Sequence, residues 1–218
     1  SNVVLENNLK LIDYGLDPIT SPEEINLIDK KKYQLMNKSM EKNGSMGKWM
    51  MRNTASIQVS FDIISKEDME EMAFVADCLH PIAAYLFANS PYQNGKATES
   101  KNIRNIIWEN TDKHRCRSLF DHAIGIPNGL VDRYIEYILK VQSIFKLDLQ
   151  GEVESSDKRL GEVLQNLYDK KCLKDRDIQA ALHQIFTNVR LKSLVEVRGA
   201  DRTPRGYEMA PVAFWTGL

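Results

Sequence analysis

The chain has 218 residues, 43% of them hydrophobic, and sets 29 Lys and Arg against 30 Asp and Glu for a formal net charge of -1. This excludes a disordered or collagen-like chain and leaves enough apolar material for a sizeable core. It also excludes a long-range pull toward nucleic acid or an anionic membrane, so any anion site must be local.

The elements follow in chain order. Residues 4–12 are weakly amphipathic, and Gly15, Pro18, Ser21 and Pro22 then break the chain into a loop before a short helix over 33–40. Gly44 and Gly47 punctuate the approach to residues 54–62, which alternate with period two. A strand there lines one face with Thr54, Ser56, Gln58, Ser60 and Asp62, and the other with Ala55, Ile57, Val59 and Phe61. Ser65 as N-cap, Glu67 and Asp68 in the first turn, and Met69, Met72, Ala73, Ala76, Leu79 and Ala83 at helical spacing predict a helix. Pro81 is expected to kink or split it, and residues 88–91 to end it.

Residues 102–115 mix Arg104, Trp108 and Arg115 with acids and amides without clear periodicity, which reads as an irregular loop of the kind that carries sites. A guanidinium offers a fork to carboxylate or phosphate and an indole a flat wall. A structural Trp with two surface arginines is the plainer reading. Further helices are expected over 131–145, 158–168 and 176–186, the last capped by Asp175, with an acidic flexible loop over 150–157.

Residues 189–201 alternate again: Arg190, Lys192, Glu196 and Arg198 stand opposite Val189, Leu191, Val195 and Val197, interrupted only by Leu194. Either strand alone serves equally well as a solvated face. Together they suggest a polar cup for an anion, and the alternation of helical blocks with strands gives an α+β chain.

Other residues carry less. His80 precedes Pro81 on an apolar helix face and reads as structural, while His114, His122 and His183 have no metal spacing. Met46, Met50 and Met51 read as core filler, and Asn2 and the Lys30–Lys32 run as solvated surface. Cys78, Cys116 and Cys172 are odd in number and widely spaced, which predicts free thiols in a reducing compartment, by default the cytoplasm. No run is long enough to span a bilayer and no signal peptide opens the chain, which starts Ser1-Asn2 without an initiator Met and so reads as a processed piece or a cloning remnant.

Four segments carry a resemblance in order and approximate spacing: Met50-Met-Arg-Asn-Thr-Ala-Ser-Ile-Gln-Val-Ser-Phe-Asp62, Leu86-Phe-Ala-Asn-Ser-Pro91, Ile107-Trp-Glu-Asn-Thr-Asp-Lys-His-Arg115 and Val189-Arg-Leu-Lys-Ser-Leu-Val-Glu-Val-Arg-Gly-Ala-Asp201. The chain resembles glutamate cysteine ligases of the plant and bacterial type. The likeness runs from about Leu9 to the closing Ala213-Phe-Trp-Thr-Gly-Leu218. The family's amino-terminal acidic strand, whose carboxylates hold Mg²⁺, has no counterpart here. The chain is therefore expected to be one partial catalytic domain over 1–218, inactive by itself.

The resemblance implies a fold like the glutamine synthetase catalytic domain, an antiparallel sheet curved into a funnel with helices outside. It implies ATP and Mg²⁺, with glutamate activated at its γ-carboxylate as an acyl phosphate that the cysteine amine attacks to give γ-glutamylcysteine. Arg190, Lys192 and Arg198 are then the cations at the transferring phosphoryl group, and Glu196 is either a metal ligand or the counter-ion between guanidines. Arg104 matches the arginine before the family's Trp motif and is expected to grip a substrate carboxylate, with Trp108 as wall. Thr54, Gln58, Ser60 and Arg115 are assigned to substrate binding as well. Departures stand at Ser60, where relatives have Asn, at Ala181, where they have His, at Thr187-Asn188 for Pro-Glu, and at Arg117, where Gly is common. They leave open a ligase for another amine, or a non-catalytic derivative that binds a glutamate-like ligand or a partner.

Overall fold

A computed structural model of the chain describes residues 2–218; Ser1 and the side chains of Asn2 and Leu5 lie outside the described residues. After helix α1 (Asn2–Glu6) the chain runs through a loop into α2 (Lys31–Asn43) and α3 (Gly47–Asn53), then strand β1 (Ser56–Phe61) and the long helix α4 (Lys66–Leu86). A small hairpin, β2 (Tyr92–Gln93) with β3 (Lys96–Ala97), precedes α5 (Ile103–Glu109), β4 (Cys116–Arg117) and α6 (Leu130–Lys140). Strands β5 (Phe145–Leu147) and β6 (Val153–Ser155) lead to α7 (Leu160–Asp169), α8 (Asp175–Leu182), β7 (Phe186–Thr187), β8 (Val189–Leu191), β9 (Val195–Asp201) and α9 (Ala210–Thr216). None of the described helices is long and apolar enough to cross a membrane.

The centre is a three-stranded antiparallel sheet in the order β1-β9-β8, accompanied by three two-stranded pairings, of which β4-β7 is parallel. The fold is mixed α and β, as expected, but this sheet is too small to form a funnel. Its apolar face carries Val59, Val195 and Val197, covered by Met69, Ala73 and Ala76 of α4, by Tyr134 and Ile138 of α6 and by Trp215 of α9. A second cluster, Leu16, Met36, Met40, Met50, Ile107, Ile144, Phe145 and Phe186, packs α2, α3 and α5 together. Met50 is core as expected, with Met46 and Met51 packed against it.

Several sequence expectations are corrected. Residues 189–201 are a hairpin rather than one strand: Lys192 to Leu194 form the turn, and the Lys192 N–H donates to the Leu194 carbonyl at 2.9 Å. Residues 103–109 are a helix, whose period places Arg104 and Trp108 on one side, four residues apart. Pro81 does not split α4, which is continuous from 66 to 86. The Ser65 hydroxyl accepts from the Asp68 N–H at 3.1 Å and caps it as predicted. The helix read over 131–145 ends at Lys140, and Phe145 instead starts β5. The acidic stretch 150–157 contains β6 rather than being wholly loop, and α8 ends at Leu182 before β7. Lys32 is not simply solvated, since its Nζ lies 5.6 Å from the Phe145 ring centroid.

Candidate functional site

The polar face of the sheet starts from the hairpin. Arg190 is paired in register with Glu196, and Glu196 in turn with Ser60 of β1, so these three side chains share one face. Between Ile57 and Val59, β1 advances two residues while β9 advances three, from Ala200 to Val197. This bulge sets Gln58 against both Arg198 and Gly199, and it returns Asp201 to the same face as Arg198 despite their odd spacing.

Glu196 collects the cations. Its Oε2 accepts from Arg190 Nε at 2.6 Å and lies 3.4 Å from Arg198 Nη1 and 3.5 Å from Lys192 Nζ. Although burial works against ionisation, these three cations hold the Glu196 carboxyl below its ordinary value. Burial and the neighbouring Arg190 push Arg198 down to about 10, which leaves it charged at neutral pH. Lys192 is also lowered by burial and by Arg190. Three cations against one carboxylate leave two fixed positive charges in excess. The Arg198 guanidinium further reaches Gln58 Oε1 at 3.3 Å.

Behind Arg198 stands α5. The Trp108 ring faces the Arg198 guanidinium at 5.3 Å and that of Arg104 at 5.9 Å. Arg104 is 4% exposed; its Nη1 lies 3.5 Å from Asp201 Oδ1 and its Nη2 donates to the Arg198 carbonyl at 3.2 Å. The motif at 86–91 explains how Asp201 is held: the Asn89 N–H and the Ser90 hydroxyl donate to its Oδ2 at 2.8 and 2.7 Å. Gly15 makes room for it, since a Cβ there would come within 2.4 Å of the Asp201 carboxyl carbon. Burial raises the Asp201 carboxyl from its ordinary value, against the lowering effect of Arg104.

The structure thus brings together Arg190, Lys192, Glu196, Arg198, Gln58, Ser60, Arg104 and Trp108. Thr54 stands apart, its hydroxyl donating to the Met50 carbonyl at 2.7 Å at the end of α3. Arg115 is also committed elsewhere. It is 1% exposed, paired through Nε to Asp112 at 2.7 Å, and it donates to the carbonyls of Gln184 and Gln142. Asp201 and His80 are site neighbours that sequence reasoning does not assign to the site, His80 being read there as structural. The glycine inside the second strand was the available signal for both, because an interior strand glycine marks a bulge or a close approach.

A Mg²⁺ ion is not accommodated by these residues alone. Among the described residues no group of three or more His, Cys, Asp or Glu could hold a metal, and Glu196 faces three cations. What the face can do is hold an anion in a partly dehydrated setting, with charges that need no reorganisation.

The glutamate-cysteine ligase family 2 pattern matches residues 2–218. The chain is 33% identical, over 98% of its length, to glutamate–cysteine ligase A, chloroplastic, of Oryza sativa subsp. indica, and it covers 44% of that protein. It is 33% identical to the chloroplastic glutamate–cysteine ligase of Arabidopsis thaliana and 34% identical to that of Brassica juncea, over 99% of its own length and 42% of each relative. The chain therefore spans less than half the length of these curated relatives.

Proposed function

Because the chain belongs to the glutamate-cysteine ligase family 2, we propose that it contributes part of the catalytic domain of an ATP-dependent ligase joining glutamate to cysteine. The observation that carries this reading is the excess of two positive charges on a largely buried sheet face beside a buried arginine and a tryptophan. A carboxylate attacking a phosphoryl group brings several negative oxygens together, and fixed guanidines stabilise that charge as it redistributes.

In this scheme the glutamate γ-carboxylate oxygen attacks the γ-phosphorus of ATP and ADP leaves. The cysteine amine nitrogen then attacks the acyl carbon, phosphate departs, and the amine loses a proton. Arg198, Arg190 and Lys192 face the transferring phosphoryl group, and Glu196 holds the two guanidines apart and oriented. Arg104 receives the glutamate α-carboxylate, with Trp108 closing the pocket. Mg²⁺, when bound, would neutralise charge on the nucleotide, through ligands that the described residues do not furnish by themselves. The small sheet is proposed as part of a larger curved one like that of glutamine synthetase, supported by the concentration of polar groups on one face. The three free cysteines support a reducing compartment, here the cytoplasm; the word chloroplastic belongs to the names of the plant relatives.

The test is ADP release by the complete gene product. It is expected to require glutamate and to be stimulated by cysteine more than by other primary amines. A preference for a different amine reassigns the acceptor, and the absence of any glutamate-dependent ADP leaves a binding protein.

A further inference from the structure

Three buried nitrogens are left without hydrogen-bond partners around one small cavity. They are Arg104 Nε, Trp108 Nε1 and His80 Nε2. All three residues, with Asn105, Asn188, Arg198 and Gly199, line a space of about 10 Å³, room for one water-sized atom. Burying such groups unpaired is costly, and all three residues border the same cavity, so an acceptor placed there would satisfy them.

His80 reaches this cavity because residue 199 is a glycine. A Cβ on Gly199 would come within 2.5 Å of His80 Nδ1, so the glycine is what lets the imidazole of α4 lie against β9. Burial, helped by Arg104 and opposed by the Asn105 side chain, keeps the ring neutral at physiological pH, its value pushed down to about 4. With its hydrogen on Nε2, the ring adds a third donor to those of the indole and the guanidinium. An oxygen that accepts from three donors and carries negative charge suits this point, beside the buried Arg104 guanidinium. The cavity also has an approach: a groove of about 770 Å³ between α4 and α5 shares His80, Asn105 and Asn188 with it.

We propose that His80 is a specificity residue of the amino-acid pocket, donating from Nε2 to an oxygen of the substrate α-carboxylate beside Arg104 and Trp108. The inference rests on the assignment of Arg104 to that carboxylate. A small entry movement of the indole or of Asn188 admits the ligand, and the three donors then close on one oxygen.

The test is titration of the 218-residue chain with L-glutamate and with 4-aminobutyrate, which lacks the α-carboxylate, followed by calorimetry and tryptophan fluorescence. The parent chain is expected to prefer L-glutamate. His80→Leu should weaken L-glutamate about tenfold to a hundredfold, the range of a lost hydrogen bond to a charged group, and leave 4-aminobutyrate unchanged. His80→Gln should restore most of the affinity by keeping a donor, and Gly199→Ala should weaken it by displacing the ring. Thermal melts establish that each variant is folded. Independently of any variant, ¹⁵N shifts of the His80 ring in the parent chain should report hydrogen on Nε2 and move on adding L-glutamate.

If Arg104→Lys weakens binding while His80→Leu does not, a structural water occupies the cavity and the role of His80 is overturned with the Arg104 assignment intact. If neither variant matters, or the parent chain does not bind L-glutamate, both fall. A ring with hydrogen on Nδ1 that ignores L-glutamate also overturns the proposal.

Discussion

Arg117 sits at φ 80, a conformation that costs a residue with a Cβ about 1 kcal/mol or more and costs glycine almost nothing. It is the position where the resemblance puts Gly, the residue that meets this backbone demand without a Cβ. Its visible return is one donation from Nε to the Glu109 carbonyl at 3.2 Å, from a half-buried side chain. Arg117→Gly is therefore expected to raise stability by about 0.5–1 kcal/mol, read as a higher urea midpoint at unchanged slope. Arg104 and Arg198 differ from it in being buried and tied to the sheet. In the complete gene product, Arg104→Lys should raise the glutamate KM about tenfold, because an ammonium cannot reproduce the guanidinium fork; an unchanged KM makes Arg104 structural. Arg198→Ala should lower kcat by about two to three orders of magnitude with a smaller change in KM. Wild-type turnover by that variant removes Arg198 from the mechanism.

At the scale of elements, the hairpin of β8 and β9 does what a single strand could not. Folding the charged row back on itself sets Arg190 opposite Glu196 and brings Lys192 from the turn onto the same carboxylate, so four charges strung over nine residues converge on one point. Helix α4 is the support behind that sheet. Its start depends on Ser65, and Ser65→Ala should cost about 1 kcal/mol through the loss of the cap to the Asp68 N–H. Equal melting temperatures for parent and variant would show that this end frays without consequence. Pro81 is tolerated within α4 although it removes a backbone donor, because the helix is held along its length by Met69, Ala73, Ala76 and Ala83 against the sheet and α6.

Across the whole molecule, stability should depend on pH through His80. Its ordinary value of 6.5 falls to about 4 in the folded chain, so between these limits the unfolded state binds the proton and the folded state does not. The stabilisation is complete above pH 6.5 and is lost as pH falls toward 4, to an extent of about 3 kcal/mol. Asp77 and Asp201, both raised by burial, act in the opposite sense: their contribution is full below the ordinary aspartate value and fades as pH rises. The parent minus His80→Gln difference in unfolding free energy, measured by urea from pH 7 to pH 4, isolates the histidine. It should shrink steadily over that range, and a difference independent of pH would show that His80 is not kept neutral by the fold.

Local chemistry was enough to determine much of this. Period-two alternation marked both edges of the charged sheet, a Ser-x-Glu-Asp start marked α4, and the clustered cations of 190–198 marked an anion site, because side-chain periodicity is set by backbone geometry within a few residues. The tertiary structure decided what those residues face. Residues 103–109 gave no clear period because Arg104 and Trp108 are turned inward as polar and aromatic groups, a pattern that hydrophobic spacing does not detect. The turn at 192–194 was hidden because Leu194 sits where alternation predicts a charge and no Gly or Pro announces the reversal. Arg115 looked like a site residue until its partners, Gln142 and Gln184, came in from 27 and 69 positions away. Likewise, only folding brings His80 against Gly199 and Arg104 against Asp201, contacts across about a hundred residues that no local pattern encodes.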